Sequence, residues 1–137
     1  MSLRVSTILA ICGAAAVASC STTTAQEARD PKAQKHLDEE LAGRTPGPAV
    51  RCLPSYRAND MQIIDDNTIL FKDGRTIYVQ NPHGGCPGIA FGNYTLVSRQ
   101  YGINQMCDGD IQRLVDLRTG MGGGSCVFSP FIPYTKG

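Results

Sequence analysis

The sequence predicts a mainly β domain: a small antiparallel barrel or sandwich stapled by two disulfides, preceded by a signal peptide and a short tether helix. Three observations carry this reading. Short runs of β-forming residues alternate with clusters of Gly, Pro, Asn and Asp, the pattern of strands joined by turns. An even set of cysteines, Cys52, Cys86, Cys107 and Cys126, follows the leader, as expected of a disulfide framework in an exported chain. The 137 residues hold 15 Gly and 8 Pro but no Trp, so the core is modest and needs covalent help.

Residues 5–17 are an apolar run behind Arg4. The run is shorter than the roughly 20 residues that cross a bilayer. It has the positive start, apolar centre and small-residue end of a secretory signal. Val17-Ala18-Ser19-Cys20 closes it and resembles the lipobox of bacterial lipoproteins. That resemblance implies removal of residues 1–19 and a lipid-modified Cys20. With Ser21 rather than Asp next, it also implies the periplasmic side of the outer membrane. Acyl chains hold by methylene burial, and stable anchoring takes two or more. Thr23-Thr24-Ala25 offers a second cut, after Ala25, that would release a soluble periplasmic or secreted protein.

Residues 20–48 read as a tether. Residues 21–29 are small and polar, which suits a flexible linker. Asp30-Pro31 is an N-cap followed by proline at the first helical position. Ala33, Leu37 and Leu41 share one helical face, and Gly43 can end the helix. So thin a stripe makes an isolated helix marginal, either docked or frayed. Asp38, Glu39 and Glu40 form its solvated side, with His36 solvated as well. Thr45-Pro46-Gly47-Pro48 breaks the chain before a β domain at residues 49–137.

Within that domain, residues 61–64 form an apolar run that ends in the turn Asp65-Asp66-Asn67. Residues 68–71 are a second strand. Lys72-Asp73-Gly74-Arg75 is a hairpin signal, and residues 76–80 alternate, with Ile77 and Val79 on one face and Tyr78 on the other. A three-strand meander results. Residues 81–88 form a loop, 94–98 a strand, and Asp108-Gly109-Asp110 a turn. Residues 111–115 fit helix or strand, and strand is preferred because the segment leaves a Gly-Asp turn. Residues 120–124 read as a flexible connector, and 126–128 as the last strand, ended by Pro130 and Pro133.

These residues resemble a domain-of-unknown-function family of small exported proteobacterial proteins and lipoproteins. The shared outline is Arg51-Cys52-Leu53, Ile64-Asp65-Asp66-Asn67-Thr68-Ile69-Leu70-Phe71, Gly74, Tyr78, Cys86-Pro87-Gly88, Cys107-Asp108-Gly109-Asp110-Ile111 and Gly124-Ser125-Cys126. It spans residues 49–134. The resemblance implies a framework of four matched cysteines and carries no established activity. Four cysteines allow three pairings, and spacing does not choose among them. The expected pairs are Cys86–Cys107 and Cys52–Cys126. The first closes about twenty residues, worth roughly 3 kcal/mol in the chain-entropy model.

Charge and motifs narrow the function. Without residues 1–19 the 13 basic residues become 12, against 12 acidic. The Lys and Arg are scattered, which disfavours nucleic acid. His83-x-x-Cys86 lacks the Cys-x-x-Cys pair of a zinc site. Asp65, Asp66, Asp108 and Asp110 suit turns better than a calcium loop. His83-Gly84-Gly85 resembles a lipase oxyanion loop, but no Gly-x-Ser-x-Gly elbow accompanies it, and Ser125 lacks the second glycine. Residues 120–124 lack the Lys and Ser/Thr of a P-loop. A hydrolase reading would rest on His83 and Asp110. Tyr56, Tyr78, Tyr94 and Tyr101 either complete the core or line a recognition surface. The expected function is a non-catalytic binding or structural module of the cell envelope, without cofactor or metal. It would be held to the membrane by lipid on Cys20 and partnered by an envelope protein or cell-wall component. The alternatives are an inhibitor of an envelope or cell-wall enzyme, presenting residues 81–88, and a small hydrolase.

Overall fold

The computed structural model describes residues 28–99 and 104–137. The signal, Cys20, the alternative cut after Ala25 and Tyr101 lie outside the described residues.

Helix α1 (Pro31–Leu41) starts where Asp30 accepts backbone N–H bonds from Lys32 and Ala33, leaving fewer orphan donors at the helix start. Strands β1 (Arg44–Pro46) and β2 (Cys52–Pro54) follow, with a 3-10 turn at Ser55–Arg57. The meander is β3 (Asp60–Asp65), β4 (Thr68–Asp73) and β5 (Thr76–Gln80). Then come β6 (Tyr94–Ser98), β7 (Gln105–Cys107), β8 (Ile111–Asp116), β9 (Gly122–Val127) and β10 (Ile132–Lys136). A five-stranded antiparallel sheet runs β1-β10-β5-β4-β3; a second sheet is β6-β8-β9, and β2-β7 is a third. The sheets stack in the manner of a sandwich and do not close into a barrel.

The alternation in β4 and β5 explains the layering. Phe71 and Tyr78 pair across the two strands, as do Leu70 and Val79. Phe71 and Tyr78 join the main core with Leu53, Met106, Leu114, Phe128 and Phe131. Leu70, Ile77 and Val79 form a second core with Ile64 and Leu37 of α1. The helix therefore docks. Its Glu40 is not on a solvated side as expected: Glu40 Oε2 lies 2.8 Å from Lys72 Nζ on β4. His36 Nε2 sits 2.6 Å from Gln62 Nε2 on β3, so it faces the sheet rather than open solvent.

Four other expectations are corrected. Thr45-Pro46-Gly47-Pro48 is no break, because β1 pairs with β10 and Gly47 donates to the Pro133 carbonyl at 2.7 Å. Pro133 does not end the sheet; it lies within β10. Its carbonyl points to the β1 side, so its missing N–H falls where β1 runs out and the β5 ladder is untouched. The run 120–124 is not a free connector, since residues 122–124 belong to β9. A Cβ on Gly123 would come within 2.3 Å of the Tyr94 ring. The ring covers this strand, and the glycine is the room it needs.

The fourth correction concerns the disulfides, which join Cys52 to Cys107 and Cys86 to Cys126. Loop-closure entropy changes only logarithmically with length, so the competing pairings differ by under about 1 kcal/mol on that count. Register decides instead. Cys52 stands directly opposite Cys107 in β2-β7. A bridge between His83 and Val127 lays the Cys86 loop along β9, beside Cys126.

Two outcomes follow. Gly123→Ala should cost about 1–3 kcal/mol in urea unfolding, the usual range for overpacking, and adding Tyr94→Ala should relieve part of that loss. The hydrogen bond from Lys72 holds the Glu40 carboxyl below its ordinary 4.5. A depressed carboxylate stabilises the fold fully above that ordinary value and loses the contribution as pH falls through the folded one. Glu40→Gln should therefore weaken the pH dependence of Tm on the acid side of about pH 4.5.

Candidate functional site

Residues 81–88 form a fixed loop, and Asp66 is the reason. Its two carboxylate oxygens accept the backbone N–H of Gly88 at 3.0 Å and of Ala90 at 2.9 Å. Its carbonyl accepts Cys86 N–H at 2.6 Å. A carboxylate that accepts backbone N–H groups makes some of the stronger hydrogen bonds in proteins. Gly85 is required here: its φ is +77°, and a Cβ would lie 2.5 Å from Asn67 Oδ1. The buried Cys86–Cys126 bridge anchors the middle of the loop to β9.

His83 stands exposed on this loop, with Nε2 3.1 Å from Asp108 Oδ1. Asp108 also lies 3.7 Å from Arg51. The pairing proposed for a hydrolase, His83 with Asp110, is therefore not formed. Asp110 Oδ2 instead accepts Cys107 N–H at 2.7 Å and shapes the β7–β8 turn. Among the described residues no hydroxyl or thiol is hydrogen-bonded to the His83 ring, and Cys52, Cys86, Cys107 and Cys126 are all oxidised.

The aspartates considered for a cation are divided between two turns. Asp65 takes Arg29 at 2.5 Å and the Asn67 N–H at 2.8 Å, and Asp66 is committed to the loop. Among the described residues no group of three or more His, Cys, Asp or Glu is placed to hold a metal. The tyrosines do not share a surface either. Tyr78 is buried with its hydroxyl accepting from Arg57 at 2.9 Å, Tyr94 lies over Gly123, and Tyr56 is exposed.

Among the concavities that border these elements, two differ sharply in chemistry. A cleft of about 530 Å³ lies between the start of α1 and residues 81–85. Its polar groups satisfy one another. Arg29 bonds Gln34, Asp65 and the buried Thr68 hydroxyl, and Thr68 in turn donates to Asn81 at 3.0 Å. This is a seam that fastens the helix.

The second concavity is open-chemistry by contrast. On the outer face of β6-β8-β9 a groove of about 760 Å³ is lined by Arg99, Asp110, Ile111, Arg113 and Ser125. Strand register puts Val97, Arg113 and Ser125 in one row across the sheet. Val97 and Ile111 are 44% and 64% exposed. Neither Arg99 nor Arg113 has an ion-pair or hydrogen-bond partner among the described residues. Reading the sequence for clusters of basic residues misses this face. The signal was the alternation Ile111-Gln112-Arg113-Leu114, which buries Gln112 and Leu114 and turns Ile111 and Arg113 outward.

Asp66→Ala should lower stability by about 2 kcal/mol, the loss of charge-assisted bonds to backbone donors. Asp66→Asn, which keeps one acceptor oxygen, should lose roughly half as much. Hydrogen exchange at Gly88 and Ala90 reports whether the loss is local.

Compared with family models, curated proteins and solved structures, the chain matches none.

Proposed function

We propose that this protein is an exported lipoprotein of the cell envelope that acts as a non-catalytic binding module, with the outer face of β6-β8-β9 as its recognition surface. The carrying observation is the pair of guanidiniums, Arg99 and Arg113, that have no ion-pair or hydrogen-bond partner among the described residues and stand beside exposed Val97 and Ile111. Arginine among exposed aliphatic residues is a common make-up of interface centres. The partner of matching chemistry is an acidic segment of an envelope protein, or a cell-wall component that carries carboxylates. Among the described lining residues Asp110 is the one acid, and its Oδ2 already accepts Cys107 N–H.

Export is supported by the two disulfides, since such bonds persist in oxidising compartments. No helix among the described residues is long and apolar enough to cross a membrane. Attachment through lipid on Cys20, on the periplasmic side of the outer membrane, is the part of the proposal drawn from residues 5–20. Kinship with the family of small exported proteins that shares the four-cysteine outline is likewise part of the proposal, drawn from the motifs between residues 49 and 134.

A second reading has its own observation. Residues 81–88 are held by Asp66, by the His83–Val127 bridge and by Cys86–Cys126. A loop fixed this way is preorganised, which lowers the entropic cost of binding. It suits an inhibitor of an envelope or cell-wall enzyme.

Mass spectrometry of the native protein should find an acylated N-terminus at Cys20; an intact Met1 overturns export. A photo-crosslinker at position 97 in whole cells should trap a discrete partner, and the same probe at position 39 should not. Arg99→Glu with Arg113→Glu should abolish that adduct while leaving Tm within about 2 °C, as expected for surface changes of under 0.5 kcal/mol. An undiminished adduct removes this face from consideration. Lysozyme and protease assays with the wild-type chain decide the inhibitor reading.

A further inference from the structure

The two disulfides are not equivalent. Cys86 and Cys126 are 0% and 4% exposed and belong to the main core. Cys52 and Cys107 are only half-buried. They face each other in the smallest sheet, two strands of three residues each. The ladder bonds from Asp108 N–H to the Arg51 carbonyl (2.7 Å) and from Ser55 N–H to the Asn104 carbonyl (3.0 Å) show where its hydrogen-bonded pairs fall. Cys52 and Cys107 occupy the intervening, non-hydrogen-bonded kind, where antiparallel strands come closest. Pro54 and Gln105 occupy the next such position, so the missing N–H of Pro54 costs nothing.

The backbone of Cys107 is bound elsewhere. Its N–H goes to Asp110 Oδ2 and its carbonyl accepts Asp110 N–H at 3.0 Å. Beneath the disulfide, Leu53 and Met106 face each other and are 1% and 8% exposed in the main core. The sheet is therefore held twice: by apolar packing on its inner side and by sulfur on its outer side. Breaking the outer link leaves the inner one and the Asp110 turn in place.

We propose that Cys52–Cys107 is a reversible thiol–disulfide exchange site that takes a dithiol as its reductant, while Cys86–Cys126 is a permanent strut. In the first step a thiolate of the dithiol attacks one sulfur of the pair. A mixed disulfide forms, the Cys52–Cys107 bond breaks, and the electron pair leaves on the other sulfur, which takes a proton. The second thiol of the dithiol then loses its proton and displaces the remaining cysteine, which is protonated in turn. Two electrons and two protons pass to Cys52 and Cys107, and the dithiol becomes a disulfide. Exposed disulfides are the labile class, and buried ones resist reduction.

The test treats the folded protein with graded dithiothreitol or with a reduced thioredoxin-type protein at equal thiol concentration. Alkylation and peptide mass spectrometry then follow. Cys52 and Cys107 should be labelled at least about tenfold faster than Cys86 and Cys126, and the difference should vanish in denaturant, where exposure no longer differs. Reduction by both agents identifies a site open to a protein dithiol, and reduction by dithiothreitol alone identifies one for small dithiols. Equal labelling of the two pairs, or faster labelling of Cys86 and Cys126, overturns the proposal. The Cys52→Ala, Cys107→Ala double variant should keep its far-ultraviolet circular dichroism and a cooperative melt; loss of the fold in that variant overturns it as well.

Discussion

Strands β4 and β5 carry apolar side chains on both faces, and the rest of the molecule is arranged to cover them. One face takes Phe71 and Tyr78 into contact with residues from the two smaller sheets. The other takes Leu70, Ile77 and Val79 into contact with α1. A chain of this size has little interior to spare, so neither cover is dispensable. This is why a helix with a thin stripe is nonetheless fixed. Leu37 supplies the apolar contact, and Arg29, reaching Asp65 and Thr68, supplies polar fastening at the start of the helix.

The irregular half of the fold is organised by one carboxylate. Asp66 collects three backbone donors through its side chain and its carbonyl. It thereby turns a loop with little regular structure into a wall of the core, with Cys86 and Ile89 both fully buried. The Cys86–Cys126 bridge then ties that wall to β9. In a small domain such a combination substitutes for a longer strand, because the backbone donors of His83, Gly85, Cys86, Gly88, Ile89 and Ala90 find acceptors without a ladder.

Much of the fold was legible in the sequence because it depends on local signals. The N-cap Asp30, the Asp-Gly hairpin between β4 and β5 and the alternation of Ile77, Tyr78 and Val79 each act within a few residues. Residues 111–115 lie in strand β8, as the turn before them implies. What stayed illegible depends on register across long separations. The cysteine pairing follows from β2 meeting β7. The strand character of residues 122–124 follows from the Tyr94 ring lying over them. Pro133 sits inside a sheet only because β1 stops at its missing donor. The candidate site shows the same division: the fixed loop was visible as a glycine-rich turn near a cysteine. The Arg99 and Arg113 face required knowing that β6, β8 and β9 are neighbours.

The end of β1 bears on how the molecule behaves at high concentration. An outermost strand with free amide and carbonyl groups invites another chain to add on, and long flat margins seed fibres. Here that margin is three residues long, carries Pro46, and runs into Gly47-Pro48 opposite the donorless nitrogen of Pro133. A foreign strand approaching from that side finds too few donors to zip against. The same prolines that look like punctuation in the sequence thus keep the sheet from growing at its β1 edge.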